Sequence, residues 1–433
     1  MTRPSWGNYP TANQQEIALQ WRSDALPPTT SLLPHGMGRS YGDVALNDGG
    51  TVITTSRLNH IISFDAATGQ LRCEAGVPLA DILQLVVPHG WFLPVTPGTK
   101  FVSVGGAIAN DIHGKNHHRA GTFGRHVTEF ELLRSNNERI VCSATQHSEL
   151  FSATIGGLGL TGLITWAQIQ LLKIPSVYLD SETIKMHSLN DFMALSDESD
   201  TTHAYTVAWL DTSTAQAGRG LFMRANFTES EEPFDVPYQK PLVTLPFHMP
   251  DWFVNTPLIK AFNVAYYHKQ LSPTSKAKVH YNPFFYPLDI LQYWNRLYGK
   301  RGFQSYQCVV PNDTNQGKAV IERMLTTIHA SGLASPLTVV KLFGDKVSPG
   351  ILSFPRPGIN LLLDFPNVGT KLSKLLHTLD DITLEAGGRA NPAKDAHMSA
   401  KTFQAMYPNW REFSEHIDPA FSSSFWRRVT KSI

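Results

Sequence analysis

The stretch SVGGAIANDIHGKNHHRAG, residues 103–121, puts two adjacent glycines, three histidines, a lysine and an aspartate into nineteen positions. These residue types suit a metal site, a nucleotide cradle or a sugar pocket. Gly105 and Gly106, ahead of Ala107, can open a helix whose N-terminus faces an anion. His113 and His117 stand four apart, as helical metal ligands do. Gly114 interrupts that turn, however, and no cysteine or carboxylate completes a zinc set, so no metal is expected. A histidine at the edge of a cofactor pocket is the better reading.

Two other glycine-rich stretches flank it. PHGMGRSYGD, residues 34–43, has three glycines in seven residues, enough for a tight loop whose backbone N–H groups converge on a phosphate. GGLGLTG, residues 156–162, contains a literal G-x-G-x-x-G at Gly157, Gly159 and Gly162. A dinucleotide fold needs that motif between a strand and a helix. Here LITWAQIQL follows and alternates like a strand, so the match is a decoy.

Outward from these stretches, the first part of the chain reads as short strands. TVITTS and IISFDAATGQLRCEAG alternate, with a turn at Ala67–Gly69. PLADILQLVVPHG reads as a short amphipathic helix between Pro78 and Gly90. VTEFELLRSNNERIVCS reads as a hairpin turning at Asn136–Asn137. Past Pro175 the texture changes. AYTVAWLD, GRGLFMRANF, YQCVVP, LTVVKLFG and INLLLDFP read as strands, and NQGKAVIERMLTTIHASG and KLSKLLHTLDDITLEAGG as helices. That is the pattern of an antiparallel sheet covered by helices, an α+β arrangement. Residues 228–283, rich in proline and aromatics, resist assignment.

The bulk numbers fit a globular chain with room for two or three domains. Of 433 residues, 42% are hydrophobic and 17% charged, with a formal net charge of +1. That balance excludes disorder and gives no sign of nucleic-acid binding. Three dispersed cysteines suit a reducing compartment. The N-terminus lacks the apolar run of a signal peptide, and no apolar run is long enough to span a bilayer. The expectation is a cytoplasmic protein, with contact at the inner face of the cell membrane left open.

Taken together, GMGRSYGD, GGAIANDIHGKNHH and PAKDAHMSAKTFQAMYP resemble the vanillyl-alcohol-oxidase-type FAD-binding family, and within it the decaprenylphosphoryl-ribose oxidase branch, the flavoprotein half of a two-enzyme epimerisation. The likeness runs from about residue 30 to residue 420. It implies a two-part FAD-binding domain, residues 1–176 and 389–433, with an inserted antiparallel-sheet substrate domain covered by helices, residues 177–388. It also implies FAD against the loop Pro34, His35, Gly36, Met37 and Gly38, continuing through Arg39, Ser40, Tyr41, Gly42 and Asp43. Further cofactor positions carried over are Gly98, Thr99, Ser103, Val104, Gly105 and Gly106. Asn110, Asp111, Ile112, His113, Ile164 and Asn391 complete that set. Arg39 stands where many relatives carry a histidine bonded covalently to the flavin. A guanidinium is a poor nucleophile, so non-covalent FAD is expected.

The reaction implied is oxidation of the C2 hydroxyl of a polyprenyl-phosphoryl-β-D-ribose to a keto-sugar, on the way to arabinose and cell-wall or glycan biosynthesis. A short-chain reductase would complete the epimerisation as partner. Such a step needs a base at the hydroxyl or a cation near the flavin. Lys394 matches the family's active-site lysine and suits either task. His113 and Lys115 are the next candidates. Tyr41, Phe285, Gln307, Lys341 and Asn360 match substrate-pocket positions. The chain departs from the family pattern at Phe285, Ser305 and Leu362, which bears on the substrate rather than on flavin chemistry. The competing readings are an FAD-dependent alditol or aldonolactone oxidase acting on free polyols, and a flavin-fold scaffold that only binds a lipid-linked sugar.

One segment stands apart. HMPDWFVNTPLIKAFNVAYYHK, residues 248–269, mixes aromatics with lysines and histidines, the pattern of a segment at a bilayer interface. Burial of its aromatics against the core is the plainer alternative.

Overall fold

The computed structural model describes residues 1–214, 216–229, 234, 243–313 and 316–431. Its architecture is α+β. Near the N-terminus the strand Leu32–His35 runs parallel to Thr51–Thr54, which also pairs with Gln15–Ala18. A five-stranded antiparallel sheet follows, in the order Arg139–Ser143, Val127–Leu133, Leu163–Gln170, Gln70–Glu74, Ile61–Asp65. The two expected hairpins are both present in it. The helix Leu79–Val86 buries Leu79, Ile82, Leu83 and Val86, the 3.6-residue stripe its sequence shows. The strand Leu163–Gln170 directly follows the G-x-G-x-x-G match, as a decoy requires.

The second large element is an eight-stranded antiparallel sheet. Its order is Thr274–His280, Tyr178–Met186, Gly220–Phe227, Tyr205–Leu210, Thr338–Phe343, Gly358–Pro366, Phe303–Val310 and Arg389–Ala390. Successive strand residues point to opposite faces. Ala208, Leu210, Phe222, Tyr306, Cys308, Val340, Leu361 and Leu363 form one face. They pack under the helices Leu189–Ser199, Gly317–Ser331 and Thr370–Glu385, which share that core. Their alternates, among them Trp209, Gln307, Val339, Lys341, Asn360 and Leu362, line a cavity on the other face.

Among the elements left unassigned in the sequence are two strands and two helices of this part of the chain. Tyr178–Met186 and Thr274–His280 pair with each other, and the second is an edge strand whose first five residues, Thr-Ser-Lys-Ala-Lys, are exposed. An edge needs no apolar alternation, so none marks it. Leu189–Ser199 is short, mostly polar and closed by a capping box at Ser188 and Asp191. Thr256–His268 lies within the unassigned stretch 228–283, part of which falls outside the described residues.

The C-terminal segment closes the fold. Arg389–Ala390 joins the edge of the eight-stranded sheet through Val309 and Cys308, which delivers Asn391 and Lys394 to the cavity. Arg428 then binds Asp43 through Nε–Oδ2 at 2.9 Å and Nη2–Oδ1 at 2.6 Å, and Asp395 through Nη2–Oδ2 at 2.8 Å. The first glycine-rich loop and the lysine-bearing segment are thus tied to one guanidinium. Among the described residues no helix is long and apolar enough to cross a membrane.

Candidate active site

A single cavity of about 980 Å³ runs from the first glycine-rich loop, past residues 103–115, to the open face of the eight-stranded sheet. At one end lies the loop Gly36–Ser40. Its five backbone amides donate to no acceptor among the described hydrogen bonds, while the loop itself lines the cavity. Gly38 takes φ +60°, the left-handed conformation that curls successive N–H groups into a concave nest. A Cβ on Gly36 would stand 2.0 Å from Ser103 Oγ. Arg39 is held to the side, with Nε donating to Phe101 O at 3.1 Å and its guanidinium 3.9 Å from the centre of the Trp6 ring.

The 103–106 segment behaves differently. Val104 N donates to Val77 O at 3.0 Å, Gly105 N to Ala75 O at 2.7 Å and Gly106 N to Ser103 Oγ at 3.3 Å. That helix start therefore presents a glycine surface rather than open donors. Ser103, Gly105, Gly106, Gly98, Thr99, Asn110, Ile112, Ile164 and Asn391 line the cavity, as do Pro34, His35 and Met37. The Oδ1 of Asn110 is buried with no partner, while its Nδ2 donates to Gly106 O at 2.9 Å.

Four expected cofactor positions do not reach the cavity. Gly42 is pressed against the C-terminal segment, where a Cβ would stand 1.5 Å from Asp395 O. Asp43 is engaged by Arg428. Val104 is fully buried core. Asp111 accepts from Gly124 N at 2.8 Å and from the hydroxyls of Ser348 and Ser353, which makes it an internal pin between loops. Adjacent residues in a tight loop cannot all face one way, and these four turn inward.

At the other end three lysines and a histidine converge. His113 Nε2 lies 2.8 Å from Gln307 Nε2, which also donates to Asn360 Oδ1 at 2.7 Å. Gln307 Oε1 accepts from Asn391 Nδ2 at 2.9 Å, so its amide nitrogen faces the imidazole and His113 must accept there. The imidazole proton then sits on Nδ1, 3.5 Å from Lys341 Nζ. Burial, with Lys341 nearby, holds His113 far below its usual range and keeps it neutral. Asn360 Nδ2 has no partner and remains a buried donor.

Burial pushes Lys341 down to about 7, with Lys115 and Lys394 adding repulsion. Lys115 is pushed down to about 8 by burial, and its Nζ donates to the carbonyls of Phe284 at 2.9 Å and Phe285 at 3.3 Å. Phe285 itself is buried between Phe92 and Tyr205 and acts through packing and that carbonyl. Burial likewise takes Lys394 down to about 8, against the pull of Asp364, and its Nζ lies 3.2 Å from the centroid of Tyr41.

Asp364 was not anticipated. It is fully buried, and burial raises its carboxyl to about 6 against the pull of Lys394 and of the Ser305 hydroxyl. The available signal was its spacing, since Asn360, Leu362 and Asp364 alternate onto one face of their strand. Asp289, also missed, accepts from Lys100 N at 2.9 Å at the cavity edge. His117 stacks on Phe343 with centroids 4.2 Å apart, and His118 Nε2 meets His203 O at 2.9 Å. Among the described residues no cluster could hold a metal ion.

Beyond Lys341 the cavity turns mainly apolar, lined by Val207, Trp209, Met223, Leu337, Val339 and Leu362, with Ser181 and Thr183 on the strand beside Met223. The whole arrangement offers an open amide nest for a phosphate, a long slot, a cationic polar end and an apolar extension.

Comparison with known proteins agrees with that chemistry. Residues 24–143 match the family described as FAD binding domain. The chain is 39% identical over 418 residues to decaprenylphosphoryl-beta-D-ribose oxidase of Mycolicibacterium smegmatis, covering 92% of this chain and 89% of that one. It is 32% identical over 374 residues to an uncharacterized protein of Streptomyces coelicolor, covering 82% of this chain and all of the other. L-gulonolactone oxidase of Bos taurus is 30% identical over 150 residues, about a third of each chain. The free loop amides and glycine surface fit the FAD that such a domain binds, and with identity sustained across nine-tenths of its length the chain belongs to the decaprenylphosphoryl-β-D-ribose oxidase family of FAD-binding oxidoreductases.

Proposed function

We propose that this oxidoreductase oxidises the C2 hydroxyl of a polyprenyl-phosphoryl-β-D-ribose to the keto-sugar. One observation carries the reading. Three buried lysines with depressed pKa values surround a neutral histidine at the point where a polar slot becomes an apolar groove. Buried cations gain most from an anionic ligand. An apolar groove suits a hydrocarbon chain and does little for a free polyol, which weighs against the alditol or aldonolactone alternative. The Mycolicibacterium smegmatis relative is named for a sugar phosphate on a prenyl chain.

FAD, when bound, supplies the two-electron acceptor for the hydrogen leaving C2. The protein's part is placement and proton handling. The amides of Gly36–Ser40 would hold the FAD pyrophosphate, and Asn110 and Asn391 stand along the slot. Gln307 fixes His113, and the free Asn360 Nδ2 donates to a sugar oxygen. Lys394, with a pKa near ambient pH, takes the hydroxyl proton as the carbonyl forms. Lys115 and Lys341 face the phosphate. In this reading residues 1–176 and 389–433 hold the cofactor and residues 177–388 the substrate. The keto product then requires a partner reductase that returns hydride to the opposite face of C2.

The product tests this. After turnover with farnesylphosphoryl ribose, borodeuteride trapping should place deuterium at C2 of a ribose and arabinose mixture. Deuterium at another carbon would refute the assignment.

A further inference from the structure

The helix Thr256–His268 is apolar on two sides. Ile259, Asn263 and Tyr267, spaced four apart, are buried against the sheet, where Tyr267 packs with Trp209 and Leu221. The opposite side carries Leu258, Ala261, Phe262 and Ala265, and Leu258 and Phe262 are 44% and 48% exposed. Phe247 and Trp252 before it are 65% and 71% exposed, and Leu271 after it is 92% exposed. A helix facing water is polar on its outer side. This one is not, and clustered exposure of large apolar groups marks a contact surface.

We propose that this face docks on an anionic phospholipid bilayer and opens the prenyl groove directly into it. Two observations select that occupant. First, Phe262 and Tyr266 of the same helix, with Lys269 at its C-terminus, line the catalytic cavity, so the exposed stripe and the groove are continuous. A polyprenyl chain could pass from one to the other without crossing water. Second, the apolar face is bordered by Lys260 and Lys269, against one carboxylate on the segment, Asp251, which faces Arg301. Aromatic and aliphatic side chains rimmed by lysines match the acyl–headgroup boundary. The inference rests on the proposed substrate, since a lipid-linked sugar must be drawn from a membrane.

The test is flotation of the yellow holoenzyme with phosphatidylcholine vesicles, with and without phosphatidylglycerol, beside flavin reduction by a short-chain farnesylphosphoryl ribose free in buffer. Wild type should float with the mixed vesicles. The double variant Trp252→Ser, Leu258→Ser should lose at least about fivefold of the bound fraction, as expected when two anchoring side chains leave the interface. Lys260→Glu should weaken flotation only on anionic vesicles. Both variants should keep FAD and reduction by the short-chain analogue. Wild type that stays in solution while the analogue reduces it would overturn the docking surface and leave the substrate reading standing. Equal flotation of the double variant would also overturn it. Flotation that responds to the variants without any reduction would support docking and count against the substrate.

Discussion

Lys394 Nζ sits 3.2 Å from the centroid of the Tyr41 ring, and the two segments are clamped by Tyr41 N donating to Ala393 O at 2.9 Å. The ring and Asp364 favour the ammonium, while burial opposes it, leaving a group poised at about 8. If the neutral amine accepts the C2 hydroxyl proton, flavin reduction should rise with pH, with a midpoint near 8 and a plateau above. Lys394→Ala should keep its FAD and slow single-turnover reduction by about 10²–10⁴. Stopped-flow absorbance checks both, and near-normal reduction in the variant would remove Lys394 from the mechanism.

Asp364 should tune that midpoint. A carboxylate near an ammonium raises the amine's pKa, so removing it lowers the pKa. Asp364→Asn should therefore move the pH profile to lower pH while FAD content stays the same. A merely structural aspartate would change protein yield or melting and leave the midpoint in place.

Arg39 occupies the position expected for a linking histidine, and its guanidinium is engaged by Phe101 O and Trp6. Acid precipitation should release essentially all the FAD into the supernatant. Flavin retained in the pellet would show a covalent bond elsewhere.

Arg428 is the only described partner bridging Asp43 and Asp395, whose side chains are nearly inaccessible. Arg428→Ala leaves Asp43 buried without a cation and Asp395 with His397 alone, so the holoprotein should lose about 3 kcal/mol against urea. A loss within about 0.5 kcal/mol, the range of a surface change, would mean the pair relaxes into solvent.

The strands with plain alternation, from Tyr205–Leu210 to Gly358–Pro366, were legible because each buries one face in each direction. The edge strand Thr274–His280 was not, since an exposed edge carries no apolar period. The slot residues Gln307, Lys341 and Asn360 could be located only through family motifs, because single polar residues on a strand look alike until the sheet brings them together. The inward turn of Gly42, Asp43, Val104 and Asp111 was invisible for a related reason. Which residues of a loop face a ligand depends on Asp395, Arg428 and the Ser348–Ser353 loop, all distant in sequence.

The central claim is that a prenyl-linked ribose phosphate reduces the bound FAD. The measurement is anaerobic bleaching of the flavin absorbance with polyprenyl-phosphoryl ribose, set beside free ribitol and xylitol. Complete bleaching by the lipid-linked sugar and none by the polyols is the predicted result. Bleaching by ribitol or xylitol with no response to the lipid-linked sugar would contradict it.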